Sequence, residues 1–280
     1  MKNLGYYNGE IGLVEEMRVP MNDRACYFGD GVYEATMVRN RKIFALDDHL
    51  TRLWNSARLV EIDLPYTKEE LTAILYGLVE KIDSPDQMLY WQVTRGTAMR
   101  NHIFPGADVT ANLWVTIKPL TVHGHDHTLK LTDIEDTRFF HCNIKTLNLL
   151  VNCIASTKAD REGCDECVFH RGDVVTECAH SNVSILKDGV FVTHPTDEFI
   201  LPGITRKHLI QECEKLGIPV REEAFTMDEL RNADEVIVSS STKLAKRALS
   251  LNGKPVGGKD EALALRLMES YMQRYLNETM

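Results

Sequence analysis

Phe139-Phe140-His141-Cys142-Asn143-Ile144-Lys145-Thr146-Leu147-Asn148 sets a lysine at the end of an apolar run, just ahead of a helical pattern. The run Phe139–Ile144 predicts a strand leading into Lys145, and a helix is expected from about Asn148 to Glu162. Downstream, β-branched residues alternate with turns through Val168–Ile185 and Val190–Thr193, the latter after the turn Lys187-Asp188-Gly189. Thr205 opens a helix that reaches Leu216 and closes at Gly217. A strand is expected at Val236–Val238 and an amphipathic helix over Asp260–Leu276.

Upstream the pattern differs. A strand is expected near Leu129–Thr132, and before it hairpins are followed by helices. Asn8-Gly9 is a hairpin-turn signal, and Asn40-Arg41 separates Tyr33–Val38 from Ile43–Leu46. Asp47 or Asp48 is expected to cap a helix whose apolar positions Leu50, Leu53, Ala57 and Val60 recur at helical spacing. Thr67-Lys68-Glu69-Glu70 is a capping-box pattern that opens a second helix toward Val79. Strands are expected over Met88–Gly96 and Asn112–Lys118, and Pro119 marks a junction. The expectation is an α+β protein of two mixed domains: residues 1–118, a linker at 119–123, and a larger domain over 124–280 carrying Lys145.

With 44% hydrophobic and 26% charged residues, the 280-residue chain reads as an ordinary globular protein. Its formal charge of −9 disfavours nucleic acid and anionic membrane as partners, since both reward basic surfaces. MKNLGYYNGE lacks the basic start and apolar core of a secretory signal, and no apolar run nears the roughly 18 residues of a spanning helix. A cytoplasmic protein is therefore expected. Seven scattered cysteines suit reduced thiols. Cys164 and Cys167 form a lone CxxC and His123, His125 and His127 alternate; the structural reading of the first and a solvated linker for the second outweigh a metal site.

Several polar groups cluster at the ends of apolar runs. Pro202-Gly203-Ile204-Thr205-Arg206 runs straight into a helix, whose first amides favour an anion. Ser239-Ser240-Ser241-Thr242 adds four hydroxyls after a strand. Together they make a phosphate cradle plausible without a nucleotide-type glycine loop. Lys145 has apolar neighbours that penalise a charged amine, and the neutral amine is what attacks an aldehyde. For a lone lysine the plainer reading, a packed stem with a solvated ammonium, outweighs that one. Glu177 closes Val174–Thr176 and is a cap or a site carboxylate. Arg100 and His102 belong to a solvated loop or converge on a carboxylate, with Arg100 supplying a planar fork.

At these residues the sequence resembles the fold-type IV pyridoxal-phosphate enzymes, the class IV aminotransferases, and within them the D-amino-acid enzymes. The matching stretches span nearly the whole chain: Phe28–Glu34, His49–Leu53, Val93–Gly96, Ile144–Asn148, Val175–Glu177, Ser181–Val183, Gly203–Arg206 and Ser239–Thr242. The resemblance implies a small α/β domain plus a larger domain with a β-barrel-like core. It implies pyridoxal 5'-phosphate as cofactor, carried by Lys145, which then shuttles the proton. By the same resemblance Glu177 pairs with the pyridine nitrogen, and Arg52, Ile204, Thr205 and Ser241 hold the phosphate. Ser181 and Asn182 lie along the cofactor, and Arg138 stands near it.

Tyr33, Arg100 and His102 resemble the carboxylate trap of the D-amino-acid enzymes, so D-amino acids and 2-oxo acids are the implied partners and a homodimer the implied assembly. The branched-chain L-amino-acid aminotransferases and the aminodeoxychorismate lyases share the cofactor residues and are the alternatives. A binding protein that kept the fold without catalysis is the third reading, opposed by the complete set Arg52, Lys145, Glu177 and Thr205. Two departures stand out: Met37 replaces an expected lysine, and Cys178-Ala179-His180 replaces a glycine and serine run.

Overall fold

The computed structural model describes residues 3–120 and 127–280. They form two compact units, one holding 3–120, 144–148 and 277–280 and the other holding 127–143 and 149–276.

The first unit begins with β1 (Leu4–Tyr7), β2 (Glu10–Leu13), α1 (Arg24–Phe28), β3 (Gly31–Arg39) and β4 (Lys42–Ile43). It continues with α2 (Leu46–Leu59), α3 (Lys68–Val79), β5 (Gln87–Thr94) and β6 (Asn112–Pro119). Its strands make one sheet in the order β2-β1-β6-β5-β3-β4, every pair antiparallel. Asn8, Gly9, Asn40 and Arg41 all adopt positive φ, which two-residue hairpin turns demand because their twist must match that of the strands. Alternation along β3 then sends Val32 and Val38 into the core with Leu50, Leu53, Leu75 and Trp91.

The capping box at Thr67 and Glu70 forms as expected. The start of α2 does not. Neither Asp47 nor Asp48 caps it; Ala45 takes that place in a left-handed conformation, and both aspartates lie in the first turn. There they face the positive end of the helix dipole, a role the same residue type fills one or two positions further in.

The second unit contains β7 (Leu129–Glu135), α4 (Leu150–Arg161), β8 (Glu166–Arg171), β9 (Val174–Cys178), β10 (Asn182–Lys187), β11 (Val190–Thr193) and α5 (Ile204–Leu216). After these come β12 (Val220–Glu222), α6 (Met227–Asn232), β13 (Glu235–Ser240), β14 (Leu244–Leu251), β15 (Lys254–Pro255) and α7 (Glu261–Glu278), whose last two residues are counted with the first unit. The sheet runs β12-β11-β10-β13-β14-β7-β8-β9, with β15 on β14. Its curl brings β9 back to β10, where the Cys178 amide donates to the Ser181 carbonyl at 2.7 Å. Leu131, Val168, Val175, Val183, Val238 and Ala248, one from each of six strands, share one core. That is a barrel-like interior within an α+β fold.

No strand forms over Phe139–Ile144. Phe139 and Phe140 are exposed, and Phe140 instead packs edge-on against Phe199 with Arg171 over both rings. The apolar content of this run serves an aromatic cluster, and its Cys142 amide is satisfied by the Glu198 carbonyl at 2.9 Å. Cys167 is buried and its thiol pushed up to about 12 by burial, the state of an inert core cysteine. His123 and His125 lie outside the described residues, and His127 is exposed beside Asp165. Among the described residues no cluster of metal-ligating side chains occurs, and no helix is long and apolar enough to cross a membrane.

Candidate active site

Lys145 belongs to the first unit, laid against β3 as if it were a further strand. Tyr33 N donates to Lys145 O at 2.9 Å and Leu147 N to Gly31 O at 3.0 Å. The approach is close enough that a Cβ on Gly31 would fall 2.7 Å from both Leu147 Cδ1 and Val93 O, so only glycine fits. The Lys145 amide also donates to Ser56 Oγ on α2 at 3.3 Å. Its Nζ stands 4.2 Å from the centre of the Tyr33 ring, which in turn stacks on Tyr90 with centroids 5.4 Å apart. The lysine stem is thus fixed by backbone and its amine held over an aromatic face.

Beneath this strand lies a buried triad. Arg52 forks onto Glu34, Nε to Oε1 and Nη2 to Oε2, each 2.7 Å. His49 Nδ1 reaches Glu34 Oε2 at 2.7 Å. Burial alone would raise the Glu34 carboxyl, but Arg52 and His49 more than reverse this and hold it at about 2. Burial lowers His49, so the neutral ring donates through Nδ1. His49 and Arg52 sit three residues apart on one helix face. That spacing was the signal available for the triad; the stretches Phe28–Glu34 and His49–Leu53 contain all three residues, yet the sequence yields only Arg52 as a site residue.

Arg100 and His102 are exposed on the loop after β5. Their side chains meet Phe28: the Arg100 guanidinium lies 5.1 Å and the His102 ring 5.4 Å from its centroid. Among the described residues neither is hydrogen-bonded to Tyr33 or Lys145. Met37 is buried on the same face of β3 as Tyr33.

In the second unit Glu177, next to last in β9, has both carboxylate oxygens engaged. Arg138 Nη1 donates to Oε1 at 2.6 Å, while Asn182 Nδ2 and the Leu201 amide donate to Oε2 at 3.0 Å each. Arg138 forks onto Asp136 as well, with Nε and Nη2 at 2.9 Å. Burial raises Glu177 above the ordinary carboxyl value, with Arg138 and the Leu201 amide opposing it. Three donors on one buried carboxylate still leave Oε1 a lone pair for a further N–H.

Asn182 ties this carboxylate to α5. Its Nδ2 also donates to Leu201 O at 3.0 Å, and a Cβ on Gly203 would fall 1.9 Å from its Oδ1. Gly203 precedes Ile204 and Thr205, and no side chain caps this helix, leaving its first amides to an outside acceptor. Tyr271 donates to Thr205 Oγ1 at 3.2 Å. Ser239 lies opposite Asn182 in the sheet, and its hydroxyl is buried without a partner. Ser241 is half-buried in the following turn. Ser181 Oγ instead donates to Glu166 Oε2 at 2.8 Å, where His180 Nδ1 also arrives at 2.6 Å. This carboxylate, and Asp136 behind Arg138, gave no distinct sign in the sequence.

Within the second unit, a buried carboxylate with acceptor capacity, an uncapped helix start and an orphaned hydroxyl are what pyridoxal phosphate needs as a partner for its ring nitrogen and a cradle for its phosphate; the first unit, taken by itself, offers in Lys145 the kind of amine that serves as an attachment point. The residues fit that group.

The family model for amino-transferase class IV matches residues 31–250. The D-alanine aminotransferase of Staphylococcus aureus (strain MSSA476) is 39% identical over 275 residues, 97% of each chain. That of Listeria monocytogenes serotype 4b (strain F2365) is 40% identical over 265 residues, 92% of this chain and 91% of that one. Among solved structures, the branched-chain amino acid aminotransferase from Escherichia coli superposes with a TM-score of 0.90 at 22% identity, covering 100% of this chain and 96% of that one. The chain belongs to the class IV aminotransferase family. It has the type IV fold and is a pyridoxal-phosphate-dependent aminotransferase.

Proposed function

We propose that this enzyme is a D-amino-acid transaminase, moving the amino group of a D-amino acid such as D-alanine to a 2-oxo acid such as 2-oxoglutarate. The observation that carries the reading is the likeness to D-alanine aminotransferases along 97% of both chains. Pyridoxal phosphate, when bound, supplies an electron sink for negative charge at the substrate α-carbon. Lys145 would hold the cofactor through Nζ, and the same amine, when free, would remove and return the α-proton. Glu177 would keep a proton on the ring nitrogen, since its free acceptor position favours an N–H there. The Ile204 and Thr205 amides, the Ser241 hydroxyl and the Arg52 charge would bind the phosphate, with Ser181 and Asn182 along the ring.

Tyr33, Arg100 and His102 would take the substrate carboxylate. With that group pinned on one side and the nitrogen on the cofactor, only one enantiomer turns its Cα–H toward the lysine. The enzyme would work as a homodimer in the cytoplasm; the seven thiols, all free, suit a reducing compartment.

Two measurements test this. Lys145→Ala should abolish turnover in a protein whose circular dichroism matches wild type, and ordinary turnover by it would remove the mechanism. D-alanine and L-alanine compared with 2-oxoglutarate should give strict D preference. Strict L preference would leave a branched-chain type of enzyme and end the D reading.

A further inference from the structure

We propose that Phe28 is a positioning residue for the carboxylate trap, holding Arg100 and His102 through one aromatic ring while Arg24 locks the backbone between them. The proposal rests on the trap reading above and names what keeps the trap in shape.

The argument starts from α1. This single turn is closed by Asp23, whose Oδ1 accepts from the Ala25 amide at 2.8 Å, and by left-handed Gly29. Arg24 and Phe28 are four residues apart and so share a face, with the Arg24 guanidinium 4.9 Å from the Phe28 centroid. Arg24 is buried and cannot wander: its Nε donates to Asp30 Oδ2 and its Nη1 to Asn101 O, both at 2.7 Å. Asn101 is the residue between Arg100 and His102, so this bond fixes the peptide from which both trap side chains project.

Asp30 is itself anchored. Arg95 Nε donates to it at 3.0 Å, while the Arg95 Nη groups reach the carbonyls of Val60 at 2.6 Å and Glu61 at 2.7 Å. The loop is thereby tied through two buried guanidiniums to the end of α2.

That leaves the trap side chains. Among the described residues, those of Arg100 and His102 bear on Phe28 and neither donates a hydrogen bond to the protein. A long exposed arginine loses rotamer freedom when it captures a carboxylate, and that loss weakens binding. An aromatic face beneath the guanidinium restricts it beforehand and leaves its in-plane N–H donors free to fork. The same ring limits the imidazole of His102.

The test is steady-state kinetics of the holoenzyme with D-alanine and 2-oxoglutarate. Phe28→Leu should raise the KM for D-alanine about three- to tenfold, the size of one exposed-to-buried cation–π contact, with kcat held within about twofold. Phe28→Tyr, which keeps the ring, should restore the wild-type KM; should the leucine variant not fold, Phe28→Met replaces it. In an Arg100→Ala/His102→Ala background Phe28→Leu should add nothing. An unchanged KM in Phe28→Leu, or an equal rise in both backgrounds, overturns the proposal while the trap reading stands. An unchanged KM in the Arg100→Ala/His102→Ala variant itself takes down the trap reading and the proposal with it.

Discussion

Each unit of the enzyme buries a glutamate against an arginine, and the two pairs are tuned in opposite directions. In the first, Arg52 gives its whole fork to Glu34 and His49 adds a third hydrogen bond, so the carboxyl falls to about 2. In the second, the fork of Arg138 goes to Asp136 and only the remaining nitrogen reaches Glu177. Asp136 is accordingly lowered against its own burial, while Glu177 stays raised by burial. Arg138, which burial alone would lower, is raised by the two carboxylates together. Where an arginine lays its fork on one acid, that acid is held in its charged form; where the fork goes to a neighbour, the second acid keeps the capacity to take another proton-bearing partner. A buried ion pair is therefore not one kind of object.

The comparison can be broken at Glu34 first. Glu34→Gln leaves Arg52 buried without its counter-charge, which should cost about 3–5 kcal/mol of stability, read from denaturant unfolding. A loss below about 1 kcal/mol would show that Glu34 is not the main counter-charge of Arg52.

Acid titration sharpens the same point. The folded carboxyl of Glu34 protonates near 2 against an ordinary value of 4.5. The unfolded chain thus takes up this proton first, and stability present above that window falls as pH drops through it. Unfolding midpoints measured from pH 5 to pH 2 should show this loss in wild type and lack its Glu34 share in Glu34→Gln.

At Glu177 the expected effect moves from stability to turnover. Because its folded value is raised, the charged form is penalised by the fold, and a neutral replacement should cost less stability than at Glu34. Glu177→Gln should instead lower kcat about 10–100-fold, the worth of one charge-assisted hydrogen bond. A variant with full kcat, or with a stability loss as large as that of Glu34→Gln, would erase the contrast.

Much of this was legible locally. Asn8-Gly9 and Asn40-Arg41 made their hairpins because the positive φ of such turns is a property of the dipeptide. Thr67 and Glu70 cap α3 because a capping box closes within four residues. The start of α5 was read at Thr205, one residue inside its first residue Ile204, from the turn that leads into it. Phe139–Ile144 misled because an apolar run need not be a buried strand; here Phe139 and Phe140 stay exposed, and Phe140 packs against Phe199 and Arg171. β14 escaped notice because it buries two charged residues, Lys246 and Arg247, the latter received by Glu235. Of the proposed site, Lys145, Glu177 and Arg52 were named through the family resemblance, whereas the buried Glu34, Asp136 and Glu166 gave no sign: a carboxylate looks the same in sequence whether it meets water or a guanidinium.

The chain's order of residues determined the turns, the helix caps, the alternation of its strands and its membership of a family, since each depends on neighbours a few positions apart or on a pattern spread over the whole length. The tertiary structure alone decided which acid each arginine serves. Arg52 and Glu34 are 18 positions apart and Arg138 and Glu177 are 39 apart, and only folding removes the water that would otherwise make all carboxylates alike.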